Sequence, residues 1–202
     1  MKRIILVISA LFIIVGLYYV TPYIERDSNF DRAIMAETPT ELFEVSDLIV
    51  TAEILPNKKN ILVEDELDGQ SIVSFGYTLT RIKINNVFHG EIDKNELKLV
   101  EEYWIEGKFL FTDNHYKPLK EGNEYLLFLT KHSDSGSYPG TYYLTAFDKG
   151  KYPSKDTKGK TIDTFVEELT YRELEIDKKS NQDEYKKWYK EVLKTIKIDY
   201  KM

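Results

Sequence analysis

The 202-residue chain contains no cysteine. Disulfide bonds, thiolate zinc sites, cysteine nucleophiles and iron–sulfur clusters are therefore excluded. Histidine is also scarce, and His89, His115 and His132 are too far apart in the sequence to form a metal-binding motif. The chain has no Gly-rich phosphate loop and no G-x-S-x-G nucleophile turn. We therefore predict no catalytic residue, no cofactor and no resident metal.

Positive charge is not in excess either. The 28 Lys and Arg residues are outnumbered by 34 Asp and Glu residues, which gives a formal net charge of −6. This balance argues against nucleic-acid binding, because such binding draws its affinity from neutralised phosphates. Aromatic residues are abundant instead, with 15 Tyr and 10 Phe. Their number favours a β-rich core built from large side chains.

The N-terminus predicts a membrane anchor. Lys2 and Arg3 precede an uncharged run, Ile4–Val20, and the apolar character continues to Ile24. A helix of about 20 residues spans the hydrocarbon layer of about 30 Å. No A-x-A-like cleavage pattern follows the apolar run, so an uncleaved signal anchor is favoured over a cleaved signal peptide. The basic head places the N-terminus in the cytoplasm, with residues 25–37 as a stalk outside.

Residues 38–153 have the pattern of a β-domain. Thr38-Pro39 is typical of a helix start, and this helix must be short. Apolar and alternating segments separated by turns then predict about six short antiparallel strands. Such strands form a small barrel or sandwich, and we expect a barrel that closes on itself. The predicted core comprises Leu48, Val50, Ile82, Ile84, Leu97, Leu99, Leu127, Leu129 and Leu144.

Residues 154–202 are predicted to be helical. Apolar residues recur at helical spacing in Ile162–Leu169, and again in Tyr185–Ile196 as an arc of about 140°. One interpretation packs this second stripe on the barrel, with Trp188 buried. The other lays the helix on a membrane or against an anionic wall polymer. For that second interpretation, the candidate contacts are Lys186, Lys187, Lys190, Lys194 and Lys197.

An acidic segment partly matches a calcium loop. Glu64, Glu66 and Asp68, followed by Gly69, occupy the alternating positions of its first half. A calcium loop needs a bidentate Glu six residues after the Gly, and that position holds Phe75. We therefore interpret the segment as a solvated, acidic hairpin loop rather than a metal site.

A second carboxylate group, Glu101, Glu102 and Glu106, lies beside Tyr103-Trp104. Two carboxylates and a sugar-stacking ring are the elements of a glycosidase site. Neighbouring residues on a strand, however, point to opposite faces and cannot flank one bond. We therefore interpret these carboxylates as solvated charges at a sheet edge.

Three segments resemble the OB-like, netrin-type domains of bacterial membrane-anchored surface proteins. They are the first strand, Ser46–Ile54, the strand Thr80–Gly90 that ends Asn-Val-Phe-His-Gly, and the strand Leu119–Leu129 with its Gly-x-x-Tyr-Leu-Leu-Phe pattern. The resemblance covers about residues 46–148 and implies an OB-like β-barrel at a bacterial cell surface. The resemblance implies no functional residue for this chain. The animal relatives of this fold that inhibit metalloproteinases depend on an N-terminal cysteine, and this chain contains no cysteine.

Together these observations predict a single-pass membrane protein with an extracytoplasmic OB-like barrel and C-terminal helices. The expected function is a non-enzymatic binding or interaction module whose ligand is unknown. A cell-envelope hydrolase with Asp and Glu residues that converge only in space is the alternative. A third hypothesis is a mechanical role, in which the Ile4–Ile24 helix holds a partner membrane protein. The expected partners are the membrane, through that helix, and a protein or wall polymer outside the cell, but no nucleic acid.

Overall fold

A computed structural model describes residues 23–28, 36–112, 116–154, 161–177 and 181–200. The strands are β1 (Ile24–Asp27), β2 (Leu48–Ile54), β3 (Lys59–Leu67), β4 (Gln70–His89), β5 (Glu96–Glu101), β6 (Tyr103–Glu106), β7 (Phe109–Thr112), β8 (Glu124–Lys131), β9 (Tyr142–Leu144) and β10 (Lys151–Pro153). The helices are α1 (Pro39–Val45), α2 (Ile162–Glu168), α3 (Tyr171–Leu174) and α4 (Gln182–Tyr200), with a 3-10 turn at Phe147–Gly150.

Five strands close into a β-barrel in the order β2-β4-β5-β9-β8, and β8 returns to β2. The prediction of a mainly β chain with a closed barrel is confirmed. The prediction that all its strands are antiparallel is wrong, because β5 and β9 run parallel. In a closed ring with an odd number of strands the directions cannot alternate throughout, so at least one neighbouring pair must be parallel.

The barrel interior is filled by alternating apolar residues. From β2, Leu48, Val50 and Ala52 point inward, whereas Ile49 lies in a second cluster outside the barrel. Eight of the nine predicted core residues are buried, and Ile84 is half-buried. The alternation of period 2 therefore identified the inward face of each barrel strand.

The C-terminal segment forms a helical layer on the outer face of β2, β8 and β10. Its apolar stripe packs on this face, and Trp188 is 6% exposed, so the interpretation of a helix packed on the barrel is confirmed. Helix α1 packs beside it, with Phe43 edge-on to Phe128 at 5.0 Å between ring centroids. Thr38 caps α1 by accepting a hydrogen bond from the Glu41 N–H at 3.1 Å, as the sequence predicts.

A small second sheet, β1-β7-β6, lies against the long hairpin β3–β4. Its strand β1 was not predicted, and it pairs parallel with β7 where the sequence suggested the start of a free stalk. The predicted anchor, residues 1–24, lies outside the described residues except for its last two. Within the described ranges, no helix is long and apolar enough to cross a membrane.

The acidic segment is more regular than predicted. Strands β3 and β4 pair up to the turn with one bulge, so Glu64 and Glu66 lie within a strand and not in a loop. Asp68 and Gly69 both have positive φ, at 51° and 75°. This is the backbone of a type I′ hairpin turn, for which Asp-Gly is a preferred sequence. Ser74 is an extra residue opposite the register shift at Val63 and Glu64, which marks a bulge.

Candidate functional site

An aromatic groove lies where the hairpin β3–β4 meets the small sheet. It is a cavity of about 320 Å³. Trp104 and Phe111 form one wall as a stacked pair, with ring centroids 4.7 Å apart and planes within 3° of parallel. Phe75, 5.9 Å from the Trp104 ring, lines the groove from β4. The full lining is Asp27, Ser28, Val73, Ser74, Phe75, Trp104, Glu106 and Phe111.

Local sequence explains how Trp104 reaches this position. Gly76 lies directly under the indole ring, and a Cβ at residue 76 would overlap the ring atoms. Only glycine permits this approach. The Asn60 side chain holds β6 against β3 by accepting from the Ile105 N–H at 2.7 Å and donating to the Ile105 carbonyl at 2.9 Å. These contacts fix the groove between two sheets that share no backbone ladder among the described strands.

Polar groups line the same groove. Asp27 and Ser28 come from the end of β1, Ser74 from the bulge in β4 and Glu106 from the end of β6. The Ser28 hydroxyl oxygen is buried and has no hydrogen-bond partner among the described residues. Such an unsatisfied polar atom beside a cavity is a position where a ligand atom or a water can bind. The groove thus combines aromatic walls with oxygen acceptors.

A line of aromatic rings continues from the groove across the barrel surface. The centroid of the Tyr77 ring lies 6.3 Å from that of Phe75 and 4.8 Å from that of Tyr138, which is in the loop between β8 and β9. The His132 ring centroid lies 5.0 Å from that of Tyr138, and the Tyr143 ring centroid lies 4.6 Å from that of His132. Burial lowers the pKa of His132 and so favours its neutral imidazole. We call these half-buried rings, from Phe75 to Tyr143, the aromatic strip.

A second cavity, of about 700 Å³, opens at one mouth of the barrel. Leu97 and Tyr142 form its apolar floor, and Lys131 pairs with Asp134 at 3.2 Å on its rim. The loop between β4 and β5 supplies Glu91 and Lys94. Its rim carries both signs of charge and its lining lacks the stacked rings of the groove. We therefore place the candidate site at the groove.

The opposite end of the barrel is closed by buried charge. The Glu101 side chain is fully buried and accepts hydrogen bonds from Lys58 Nζ at 2.5 Å and from Thr80 Oγ1. Its other oxygen accepts from the Tyr116 hydroxyl at 2.8 Å and from the Leu119 N–H at 2.9 Å. The interpretation of Glu101 as a solvated edge charge is therefore wrong. The period-2 pattern places residue 101 on the barrel's inner face, where it needs partners.

Lys151 is a second buried charge in this region. Its ammonium pairs with Asp148 at 3.3 Å, donates to the Lys117 carbonyl and lies 4.1 Å from the centroid of the Tyr116 ring. Burial lowers the pKa of Lys151 and raises the pKa of Asp148. Burial and the neighbouring Glu101 raise the pKa of Tyr116. We call the group around Glu101 and Lys151 the buried charge network.

Residues near the network tie the first described strand to the C-terminal segment. Lys117 pairs with Glu25 of β1 at 2.5 Å and with Asp177 at 3.0 Å. Glu175, which ends α3, pairs with Lys120 at 3.2 Å and accepts from the Tyr125 hydroxyl. Burial, and then this hydrogen bond, raises the pKa of Tyr125.

Of the residues that the sequence suggested for a glycosidase site, Trp104 and Glu106 line the groove. The calcium-loop candidates lie apart from it. Glu64 accepts from the Ser71 hydroxyl at 2.6 Å on the exposed hairpin, and Glu66 and Asp68 are exposed near its tip. Within the described ranges, no group of three or more His, Cys, Asp or Glu side chains could hold a metal ion.

The lysines of α4 mostly bind helix α2. Lys186 is buried and donates to the Glu167 carbonyl at 2.6 Å. Lys190 pairs with the Glu167 carboxylate. Lys194 pairs with Asp163 at 2.8 Å. Hydrogen bonds from Lys190 and Lys194 hold the pKa values of Glu167 and Asp163 below their usual range. Lys187 is exposed, and the Lys197 side chain lies outside the described part of the structure.

Sequence reasoning did not identify the aromatic groove. Trp104 and Phe111 lie on separate strands, and β7 was not predicted at all. Trp104 beside Glu106 was the available signal, but the carboxylates were interpreted as solvated edge charges and the high aromatic content as a sign of a core. Comparison with protein-family models finds no family that matches the chain, and comparison with curated proteins finds no relative.

Proposed function

We propose that the protein is a membrane-anchored, extracytoplasmic binding module that holds its ligand in the aromatic groove without chemical turnover. The groove itself is the observation that carries this proposal. Ligand sites are concave, mostly apolar and lined by a few placed polar groups. Aromatic walls with Asp27, Ser28 and Glu106 match that description.

The barrel's strand order supports an OB-like assignment. The order β2-β4-β5-β9-β8, with its one parallel pair in the ring, is that of a five-stranded Greek-key barrel. OB-folds bind oligonucleotides and oligosaccharides on one barrel face and its loops. A net charge of −6 disfavours the nucleic acid, so a hydroxyl-bearing ligand of the cell surface, such as a saccharide, fits better.

The predicted anchor places the groove near the membrane. Ser28, which lines the groove, follows Ile24 by four residues, and Ile24 is where the predicted anchor ends. An extended chain advances about 3.4 Å per residue, so the groove is within about 15 Å of the predicted membrane boundary. The ligand is therefore expected in the membrane-proximal layer of the envelope.

The hydrolase alternative has one supporting observation. Asp27 and Glu106 line the same cavity, and a pair of carboxylates in one cleft is what a glycosidase requires. A general acid among them would need a raised pKa. Asp148 is a carboxyl whose pKa burial raises, but it lies in the buried charge network and not in the groove. Binding without turnover is therefore the favoured function.

The test is site-directed photocrosslinking in intact cells. Benzoylphenylalanine replaces Ser74, which lines the groove, in the full chain expressed in a bacterium. As a matched control it replaces Ser71, an exposed serine on the same strand that does not line the groove. We expect a membrane-bound adduct from position 74 and none from position 71. Equal adducts at both positions, or none at 74, would contradict the proposed site.

The same cells test the topology and the alternative. External protease should degrade the barrel while the N-terminus stays protected, and the opposite pattern would contradict extracytoplasmic placement. Asp27→Asn and Glu106→Gln variants distinguish binding from turnover. If the module only binds, both variants release the captured ligand in the same chemical form as the wild type does. If it is a hydrolase, the variants accumulate a longer or intact form.

A further inference from the structure

The outer edge of β3 is open. Strand β3 pairs with β4 on one side, and within the described residues its other side pairs with no strand. Asn60 holds β6 at the base of this edge, so the open part begins at Ile61 and continues to Leu67. Seven residues extend over roughly 23 Å. Alternate residues of such an edge direct both their N–H and their C=O groups outward.

The side chains along this edge are unusual for an exposed strand. Val63 and Leu67 are 39% and 58% exposed, and Ile72, across from Asp65 on β4, is 41% exposed. Natural proteins usually protect an open edge by keeping it short or by placing lysine on it. The open part of β3 is long, combines four apolar residues with three charged ones and has no lysine, and its charges are all negative.

Those charges determine what can pair with the edge. An antiparallel second copy centred on Asp65 would place Asp65 opposite Asp65 and Glu64 opposite Glu66. Like charges directly opposite one another destabilise a strand pair, so pairing of two copies in this register is disfavoured. A partner strand with lysine or arginine opposite Glu64 and Glu66 would instead form opposite-charge pairs.

We propose that the open edge of β3 binds an extended, basic segment of a partner protein, which adds to the sheet as a further strand. Main-chain hydrogen bonds along Ile61–Leu67 supply the affinity. Glu64 and Glu66 lie on one face and select basic side chains. The other face carries Val63 and Leu67 with Asp65 between them, and its two apolar residues accept apolar side chains. The partner segment therefore alternates basic and apolar residues. This surface is separate from the aromatic groove and does not depend on the proposed function.

The test uses the full chain in detergent micelles and capped heptapeptides. The probe peptide alternates lysine and valine. One control peptide replaces each lysine with glutamate, and another replaces each valine with proline, which has no N–H to donate. We expect the lysine–valine peptide to bind and to slow hydrogen exchange of amides in Ile61–Leu67. Neither control peptide should bind.

Protein variants separate charge from backbone pairing. The isosteric variant Glu64→Gln/Asp65→Asn/Glu66→Gln should bind the probe peptide roughly 10-fold more weakly, because it loses the opposite-charge pairs. Glu91→Gln/Asp93→Asn, which removes exposed acidic residues from another loop, should bind it as the wild type does.

Four results would overturn the proposal. The first is no binding of the lysine–valine peptide, and the second is equal binding of the proline peptide. The third is unchanged affinity in the triple variant. The fourth is a concentration-dependent dimer of the wild-type chain that the lysine–valine peptide dissociates, because the edge would then serve a second copy.

Discussion

Glu101→Gln is the substitution whose effect the structure defines best. The Glu101 carboxylate is completely buried and accepts four hydrogen bonds, two on each oxygen. Glutamine has the same shape, but it replaces one oxygen with an NH2 group that can only donate. Whichever way the amide is oriented, its NH2 group faces two donors.

The less costly orientation keeps the amide oxygen towards Lys58 and Thr80. The NH2 group then faces the Tyr116 hydroxyl, which can rotate to accept, and the Leu119 N–H, which cannot. An unsatisfied buried donor costs about 1–3 kcal/mol. Lys58, whose side chain is 12% exposed, also loses its counter-ion, and breaking a buried pair costs about 3–5 kcal/mol in total. Because Lys58 still donates to the Leu119 carbonyl, we expect about 3–4 kcal/mol.

The assay is urea unfolding of the detergent-solubilised chain, followed by tryptophan fluorescence. With a slope of about 2 kcal/mol/M, the midpoint should fall by roughly 1.5–2 M. Glu96→Gln, on the same strand but in an exposed pair with Arg81, is the matched control and should change stability by less than about 1 kcal/mol. A loss below about 1 kcal/mol for Glu101→Gln would refute the reasoning, as would equal losses in both variants.

Three further outcomes follow from burial. Trp188→Ala should lower the free energy of unfolding by about 3–5 kcal/mol in the same urea assay. The control Lys187→Ala, at an exposed position of the same helix, should lower it by less than about 0.5 kcal/mol. An unchanged midpoint for Trp188→Ala would contradict the packed helix. Tyr152→Phe should be neutral or stabilising, because the buried Tyr152 hydroxyl has no hydrogen-bond partner among the described residues; a loss above about 1 kcal/mol would reveal a partner. Burial raises the pKa values of Tyr116, Tyr152 and Tyr185, so their stabilising contribution is complete below pH 10, the pKa of unfolded tyrosine, and declines as the pH rises above it. Absorbance at 295 nm should therefore show these phenols ionising only with unfolding, and early ionisation would contradict their burial.

The barrel could be predicted because its strands have a strong local pattern. In Arg81–Ile84 the alternation of apolar and charged residues shows which face is buried. In Tyr125–Leu129 an unbroken apolar run shows that both faces are. Each pattern can be recognised within the strand itself. Gly90, at the end of β4, is a local turn signal of the same kind. Its φ is +83°, and a Cβ there would overlap the Asp47 carbonyl oxygen. Strands β1, β7 and β10 were not predicted. They have three or four residues each, and such short strands are defined by their neighbours and not by periodicity.

The candidate site was less predictable than the barrel. A groove requires that Phe75, Trp104 and Phe111 meet, and this meeting depends on the bulge at Ser74 and on the approach that Gly76 permits. The sequence indicates a bend at Gly76, but not which ring lies against it. Glu101 was misinterpreted for a related reason, since its four donors come from three separate parts of the chain. Sequence spacing alone cannot distinguish a buried, satisfied carboxylate from a solvated one.

The buried charge network and the aromatic groove are connected through β1. Glu101 fixes the main chain at Leu119, and two residues earlier Lys117 reaches Glu25 on β1. Asp27, on the same strand, lines the groove. The Glu101 carboxylate is satisfied by four hydrogen bonds, and such a buried, satisfied group specifies one arrangement of its partners. Because β1 is short and pairs with one neighbour, its position depends on this ion pair as well as on its pairing with β7. The charges that close one end of the barrel therefore also position one wall of the groove.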